Sequence, residues 1–101
     1  MLFGRTPRRI LACLTAVDMR RSFSGLSASA TRVFGSEELL SGTVFLFVNK
    51  TQTIAKLLFW DRTGFVVVAK RLESGRFSAA KEELSLRELE LLFDGICRRK
   101  L

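Results

Sequence analysis

The chain has 101 residues, of which 48% are apolar and nine are phenylalanine, and its net charge is +7. This length fits one domain and leaves no room for a second core, so we expect residues 1–101 to form a single domain. The apolar content excludes a disordered chain. No stretch approaches the roughly 18 apolar residues of a membrane span, so we expect a cytoplasmic protein without a membrane partner.

A strand and a helix are the first predicted elements. Residues 9–16 form a short apolar run, which is too brief for a helix and typical of a strand. Apolar residues then recur at spacings of three and four, on one helical face: Met19, Phe23, Leu26, Ala30 and Val33. This pattern predicts a helix from Met19 to about Phe34, with Asp18 as its N-cap and Gly35 as its stop.

The middle of the chain predicts an antiparallel meander. Three runs are rich in Val, Ile, Phe and Trp: Thr43–Val48, Thr53–Trp60 and Phe65–Leu72. Polar tetrapeptides of hairpin type, residues 49–52 and 61–64, separate these runs. The continuous apolar stretch of the first run predicts a strand that is covered on both faces. Residues 76–78 are a candidate for a short fourth strand.

The C-terminal region predicts a second helix. Ser85 and Glu88 have the spacing of a capping box, and the helix should run from Leu86 to about Asp94. Gly95 is a natural C-cap, and the basic residues at 98–100 suit the negative end of the helix dipole. The predicted fold class is therefore α+β, a small single domain in which an antiparallel meander sheet of three to five strands packs with two helices.

The side chains offer little catalytic chemistry. The chain has no histidine, which is the residue most often found in zinc sites and in catalytic arrangements. Cys13 and Cys97 lie far apart in apolar surroundings, which predicts buried free thiols in a reducing compartment. A two-metal nuclease would need several carboxylates brought together, and three of the ten are expected to serve as caps or turn residues. We therefore expect no enzymatic activity, no metal and no cofactor.

Positive charge concentrates at the two ends of the chain and in its middle. Residues 1–34 carry a net charge of +5, residues 43–76 carry +4 and residues 98–101 carry +3, whereas residues 35–42 carry −2 and residues 77–97 carry −3. Such a distribution favours a polyanionic partner, because each cation that neutralises a phosphate releases condensed counterions. Solubility alone is the alternative explanation.

The register of the second hairpin decides which cations share a sheet face. Pairing of Trp60 with Phe65 is one register, and it places Arg71 on the same face as Lys56. A one-residue bulge in the turn would instead set Lys56 opposite Lys70. Two cations share a face in either case, and a phosphate or the Glu73 carboxylate would offset their repulsion. The alternative is a solvated sheet edge that lysines protect.

Two arginines lie in the first turn of the first predicted helix. Arg20 and Arg21 oppose the helix dipole there, which is unfavourable unless a negative charge offsets it. A phosphate bound at this point would meet free backbone amides as well as guanidinium groups. Pairing with Asp18, or with glutamates elsewhere in the chain, is the alternative.

Four blocks of the sequence are similar to a known family. The blocks are Asp18–Leu26, Ser41–Lys50, Lys56–Asp61 and Lys70–Phe77. In their order and spacing they resemble the TnpB accessory proteins of the bacterial insertion-sequence family numbered sixty-six, over about residues 10–97. These proteins are distinct from the longer RNA-guided nucleases that share the name TnpB. The resemblance implies a small protein that is encoded beside a separate transposase and is needed for efficient transposition.

We therefore expect a non-catalytic accessory protein of bacterial transposition that binds DNA non-specifically, at the element ends or the target. A module that docks on the separate transposase without contacting DNA is the alternative. The oligomeric state is left open by the sequence. The residues expected to bind nucleic acid are Arg20, Arg21, Lys50, Lys56, Lys70, Arg71 and Arg76.

Overall fold

The computed structural model describes residues 6–79 and 81–94 and contains a five-stranded sheet with a helix packed on each face. In chain order the elements are β1 (Arg9–Ala12), α1 (Phe23–Phe34), α2 (Ser36–Leu39), β2 (Thr43–Val48), β3 (Ile54–Trp60), β4 (Phe65–Arg71), β5 (Glu83–Leu84) and α3 (Leu86–Phe93). The order of strands across the sheet is β4-β3-β2-β1-β5.

The α+β fold class is confirmed, but the sheet is mixed rather than antiparallel. Strands β2, β3 and β4 form the predicted meander. Strand β1, however, pairs parallel with β2 and antiparallel with β5. The reason lies in the connection, because the chain leaves β1, crosses through α1 and re-enters the sheet in the same direction, as a helical crossover allows.

Helix α1 begins at Phe23 and not at Met19 as predicted. The Asp18 carboxylate does not cap the helix; it accepts a hydrogen bond from the backbone N–H of Arg20 at 2.9 Å. The N–H of Arg21 donates to the Asp18 carbonyl oxygen at 3.1 Å, so residues 18–21 form a tight turn instead. Met19 packs against the core from this turn, which explains why it fits the apolar pattern without being helical.

The predicted end of α1 is confirmed, but a further helix follows it. Gly35 has φ +94°, and its N–H donates to the Thr31 carbonyl oxygen at 2.9 Å. A positive φ of this size suits glycine, which lacks a Cβ atom. The short helix α2 starts directly after Gly35, so the described chain has three helices where two were predicted.

Two predictions near the C-terminus have opposite outcomes. Residues 76–78 are not a strand; the short extra strand is β5, which pairs with β1. The capping box is confirmed, because the Ser85 hydroxyl accepts from the N–H of Glu88 at 3.0 Å and the Glu88 carboxylate accepts from the N–H of Ser85 at 2.8 Å. The predictions for Gly95, Cys97 and residues 98–100 lie outside the described residues.

Each face of the sheet packs against one of the longer helices. Leu89 and Leu92 of α3 belong to the core on one face, and Leu26 and Ala30 of α1 belong to the core on the other. Residues 43–47 are buried, so β2 is covered on both faces as its continuous apolar run predicts.

Candidate nucleic-acid interface

The seven residues expected to bind nucleic acid lie at one end of the sheet, where β1 and β2 end, β3 begins and β4 ends. Backbone hydrogen bonds join the segments there, from Val17 to Val48 at 3.0 Å and from Phe77 to Gln52 at 2.7 Å. We call this region, residues 13–21, 48–56 and 70–79, the basic end. It contains seven basic and two acidic residues.

Lys56 is hydrogen-bonded within the fold. Trp60 pairs with Phe65, so the register without a bulge is confirmed and Lys56 lies on the face that packs against α1. Its Nζ donates to the carbonyl oxygens of Met19 at 2.9 Å and Arg21 at 2.8 Å. The half-buried ammonium group therefore holds the turn at residues 18–21 against the sheet.

Lys70 lies on the opposite face of the sheet. Its Nζ donates to the carbonyl oxygen of Phe93 at 2.8 Å and lies 5.5 Å from the centre of the Phe93 ring. A cation at this place stabilises the C-terminal end of α3 and the adjacent aromatic ring. The two lysines thus do not share a face, and the cations that do are Lys56 and Arg71.

Arg20 forms an exposed ion pair with Asp18. Its Nη2 lies 2.7 Å from Oδ2 of Asp18, and 91% of the Arg20 side chain is exposed. Hydrogen bonds from the side chain and then the backbone N–H of Arg20 lower the pKa of Asp18 to about 2. The pairing expected as an alternative to phosphate binding is therefore present for Arg20, while the guanidinium group stays open to solvent.

Arg21 lies along the first turns of α1. Its Nη1 donates to the hydroxyl of Ser29 at 2.8 Å, and Ser29 is fully buried. Its aliphatic stem passes over Gly25, where an added Cβ atom would lie 2.9 Å from the Cβ of Arg21. Gly25 of the first sequence block thus leaves room for the stem of this arginine.

Three cations of the basic end are exposed and have no hydrogen bond or ion pair to another side chain among residues 6–79 and 81–94: Lys50, Arg71 and Arg76. Lys50 lies in the turn between β2 and β3, Arg71 is the last residue of β4, and Arg76 follows in the next loop. Within the same part of the chain, Glu73 forms no ion pair with them. These three side chains are therefore available to an anion.

Two shallow hollows lie beside these cations. One, of about 330 Å³, lies between the turn at Met19 and the pair Lys56 and Arg71. The other, of about 180 Å³, lies between residues 13–16 and the turn that carries Lys50. Both are open to solvent, and each has in its lining a cation that is unpaired among the described residues, Arg71 in the first and Lys50 in the second.

The arginines at the opposite end of the sheet are neutralised by glutamates. Arg8 and Arg9 lie 3.1 and 2.8 Å from the Glu38 carboxylate, and Arg9 also lies 2.8 Å from Glu83. The buried hydroxyl of Thr43 donates to Glu38 at 2.8 Å. Because these ion pairs join residues far apart in the chain, no sequence pattern indicated them. They neutralise the cations at that end of the sheet, whereas the basic end carries three exposed cations that are unpaired among the described residues.

Stability should depend on pH because several carboxylates are stabilised in their charged form. The hydrogen bond from Thr43 lowers the pKa of Glu38, and that from Arg9 lowers the pKa of Glu83. The pKa of Asp18 falls from 3.8 to about 2. Stability from a lowered carboxylate pKa is present above the unfolded value and is lost as the pH falls through the folded value.

We therefore expect the thermal unfolding temperature to fall steadily between about pH 5 and about pH 2. Circular dichroism melting curves across this range measure the effect. Asp18→Asn removes the titrating group but keeps an oxygen for the N–H of Arg20, so it should flatten the lower part of the curve. An unchanged pH profile in this variant would contradict the role assigned to Asp18.

The part of the chain that the structure describes shows no metal-binding cluster. There, no three His, Cys, Asp or Glu side chains lie close enough to hold a metal ion. Cys13 is buried as predicted, and its thiol donates to the Thr15 carbonyl oxygen at 3.4 Å. None of the helices formed by the described residues has the length and apolarity that crossing a bilayer requires.

The fold and the site together define a small α+β protein with a mixed sheet and a cationic surface at one sheet end. The chain belongs to the IS66 Orf2-like protein family, whose model matches residues 8–101. This membership confirms the resemblance found in the sequence, associates the chain with transposition of insertion sequences, and places it in a family that is not known to be catalytic.

The chain is also similar to a curated bacterial protein. The chain is 35% identical over 72 residues to the uncharacterized protein y4jC of Sinorhizobium fredii (strain NBRC 101917 / NGR234). The match covers 68% of this chain and 58% of that protein, so the chain spans less than two thirds of its relative's length. No solved structure shows a significant match.

Proposed function

We propose that this protein is a non-catalytic accessory protein of insertion-sequence transposition, acting in the cytoplasm, and that it binds DNA non-specifically through its basic end. The observation that supports this proposal is the distribution of paired and unpaired cations. Arginines at the opposite end are paired with glutamates, whereas Lys50, Arg71 and Arg76 are exposed and unpaired among the described residues.

The geometry of the basic end suits a phosphate backbone. Neighbouring strands lie about 4.8 Å apart, so the backbones of β2 and β4, which flank β3, are roughly 10 Å apart. Lys50 follows β2 and Arg71 ends β4 at this end of the sheet. Phosphates along duplex DNA are spaced closely enough for such a group to meet several of them. Contacts to phosphates carry no base information, so the proposed binding is independent of sequence.

Electrophoretic mobility shifts in which the salt is raised from about 50 to about 200 mM test the proposal. The duplexes are labelled element ends and an unrelated duplex of equal length. We expect both to bind equally and to dissociate as salt rises. The triple variant Lys50→Gln, Arg71→Gln and Arg76→Gln should lower the slope of log affinity against log salt by about 2 to 3, because each lost phosphate contact lowers it by about one.

A matched control removes the same charge from elsewhere. Arg32, Arg62 and Arg87 are exposed and lie outside the basic end, so changing them to Gln alters the net charge equally. This control should keep most of the salt slope. Equal loss in both triple variants would show attraction by net charge alone, and the absence of any shift at low salt would end the DNA-binding proposal.

Docking on the element's separate transposase is the second candidate function. It is supported by two exposed apolar side chains, Leu14 at 58% and Phe23 at 50% exposure, because apolar and aromatic groups are typical anchors of protein interfaces. Leu14 lines the same hollow as Lys50, and Phe23 begins α1. Recovery of the transposase from nuclease-treated extract by the Lys50, Arg71 and Arg76 triple variant would favour docking over DNA binding.

A further inference from the structure

The two edges of the sheet differ in how they are protected. β5, at one edge, is two residues long and carries Glu83. β4, at the other edge, is seven residues long, and within the described residues no strand pairs with its outer side. Proteins usually protect an edge strand by making it short or by adding charge, proline or a bulge. The ladder between β4 and β3 is continuous from Arg71 to Phe65, so β4 has no bulge.

Charged side chains do not shield the first five residues of this edge. The segment from Phe65 to Ala69 contains no charge and no proline, and Val66, Val67 and Val68 are each partly exposed. The ammonium group of Lys70 is bonded to Phe93 on the α3 face. Lys56 lies on β3, which is an interior strand. The interpretation of a lysine-protected edge therefore does not apply to β4.

Every second residue of β4 directs its backbone groups away from the sheet. The N–H of Leu72 donates to the Thr53 carbonyl oxygen at 2.8 Å. At the other end of the hairpin, the Gly64 carbonyl oxygen accepts from Asp61 at 2.8 Å. Hydrogen-bonded and non-hydrogen-bonded residue pairs alternate along an antiparallel ladder. The backbone groups of the even-numbered residues of β4 therefore bond to β3. The backbone groups that point outward belong to Phe65, Val67, Ala69 and Arg71.

A second copy of β4 fits this pattern in the antiparallel direction. If Val68 lies opposite Val68 of the second copy, Val67 opposes Ala69 and Phe65 opposes Arg71. Every outward-facing residue then meets another outward-facing residue, and about eight backbone hydrogen bonds can form. The edge is thus complementary to itself.

The charges favour the same orientation. Antiparallel pairing sets Lys70 opposite Val66 of the second copy and brings the turn with Asp61 and Arg62 alongside the segment from Arg71 to Glu73. Parallel pairing in register would set Lys70 opposite Lys70 of the second copy and Arg71 opposite Arg71. Like charges directly opposite each other are destabilising.

We propose that the protein forms a two-fold symmetric dimer in which β4 pairs antiparallel with β4 of a second copy, centred on Val68. The two sheets then become one continuous sheet of ten strands, and the unprotected edge is closed. Because the strands run in opposite directions, the dimer presents its two basic ends at opposite ends of that sheet.

Size-exclusion chromatography with light scattering, at about 1 to about 200 µM protein, tests the dimer. The mass should approach twice the 11.4 kDa of the chain as concentration rises. Ala69→Pro removes an outward N–H without breaking a bond to β3, and Ala69→Lys adds a charge to the exposed edge. Each change occurs twice in the dimer, so each should raise the dissociation constant at least about tenfold.

Ala28→Lys is the matched control, because it makes the same exchange at an exposed position of α1. It should leave the dimer intact. A wild-type protein that stays monomeric throughout the range would overturn the proposal, and so would folded Ala69 variants that dimerise as tightly as the wild type.

Cysteine cross-linking tests the register even if both Ala69 variants fail to fold. Val68→Cys places two thiols opposite each other in a close, non-hydrogen-bonded pair, where a disulfide can form. Ala69→Cys places them two positions apart. Mild oxidation should therefore link Val68→Cys into dimers several-fold faster than Ala69→Cys. Equal or absent cross-linking would overturn the proposed pairing.

Discussion

Phe77→Ala should lower the free energy of unfolding by about 3 to 5 kcal/mol. The Phe77 side chain is fully buried in the core on the α3 face, and its ring centre lies 5.9 Å from that of Phe93. Truncation removes the contacts of the ring and leaves a cavity beneath a sheet that can collapse only in part. Domains of this size have only about 5 to 15 kcal/mol of stability in total, so the variant should be close to unfolding.

Urea unfolding followed by the fluorescence of Trp60, the single tryptophan, measures this loss. Phe23→Ala is the matched control, because it makes the same truncation at a side chain that is 50% exposed. The control should cost less than about 1 kcal/mol. Equal costs for the two substitutions would mean that Phe77 does not occupy the core.

Phe77 also positions part of the basic end. Its N–H donates to the Gln52 carbonyl oxygen at 2.7 Å, which ties the loop that carries Arg76 to the turn that carries Lys50. The cost of Phe77→Ala should therefore include a looser arrangement of these two cations. The buried ring anchors this loop in the core, and the backbone bond sets its distance from the turn.

Lys56→Met should lower the free energy of unfolding by about 1 to 3 kcal/mol. The substitution keeps a long unbranched stem but removes the ammonium group, so the carbonyl oxygens of Met19 and Arg21 lose their donor. Urea unfolding measures the loss. Lys50→Met makes the same exchange at an exposed position without a described partner and should change stability by less than about 0.5 kcal/mol.

The salt dependence of DNA binding should change little in Lys56→Met and strongly in the triple variant, which is the reverse of their effects on stability. Lys56→Met should leave the salt slope of the folded protein nearly unchanged, whereas the triple variant of Lys50, Arg71 and Arg76 should lower the slope with little loss of stability. A Lys56→Met variant that is as stable as the wild type but loses salt dependence would contradict the structural role assigned to this lysine.

The first sequence block shows how a motif can be detected without its roles being evident. The sequence predicts a helix start at Asp18, Arg20 and Arg21, with either a bound phosphate or pairing with Asp18 to offset the arginines. In the structure Asp18 closes a turn, Arg20 pairs with it, and Arg21 crosses Gly25 to reach Ser29. The apolar period was misleading at Met19, because a turn that packs on the core repeats the spacing of a helix.

The sequence by itself determined the meander, the capping box of α3, the end of α1 at Gly35 and the excess of positive charge. These features depend on residues that are neighbours in the chain, so spacing and residue type are enough to predict them. The single domain and the DNA partner stay predictions. For the second hairpin the sequence allowed two registers, and the structure has the one that keeps β4 free of a bulge.

Only the tertiary structure decided the direction of β1, the position of β5 and which cations are exposed. Lys56 binds the carbonyl oxygen of Met19, 37 residues away, and Lys70 binds that of Phe93, 23 residues away. Such contacts depend on how the elements pack, because an ammonium group donates to whichever carbonyl oxygen the fold brings near it. The positive charge was therefore evident from composition, but its availability to a partner was set by packing.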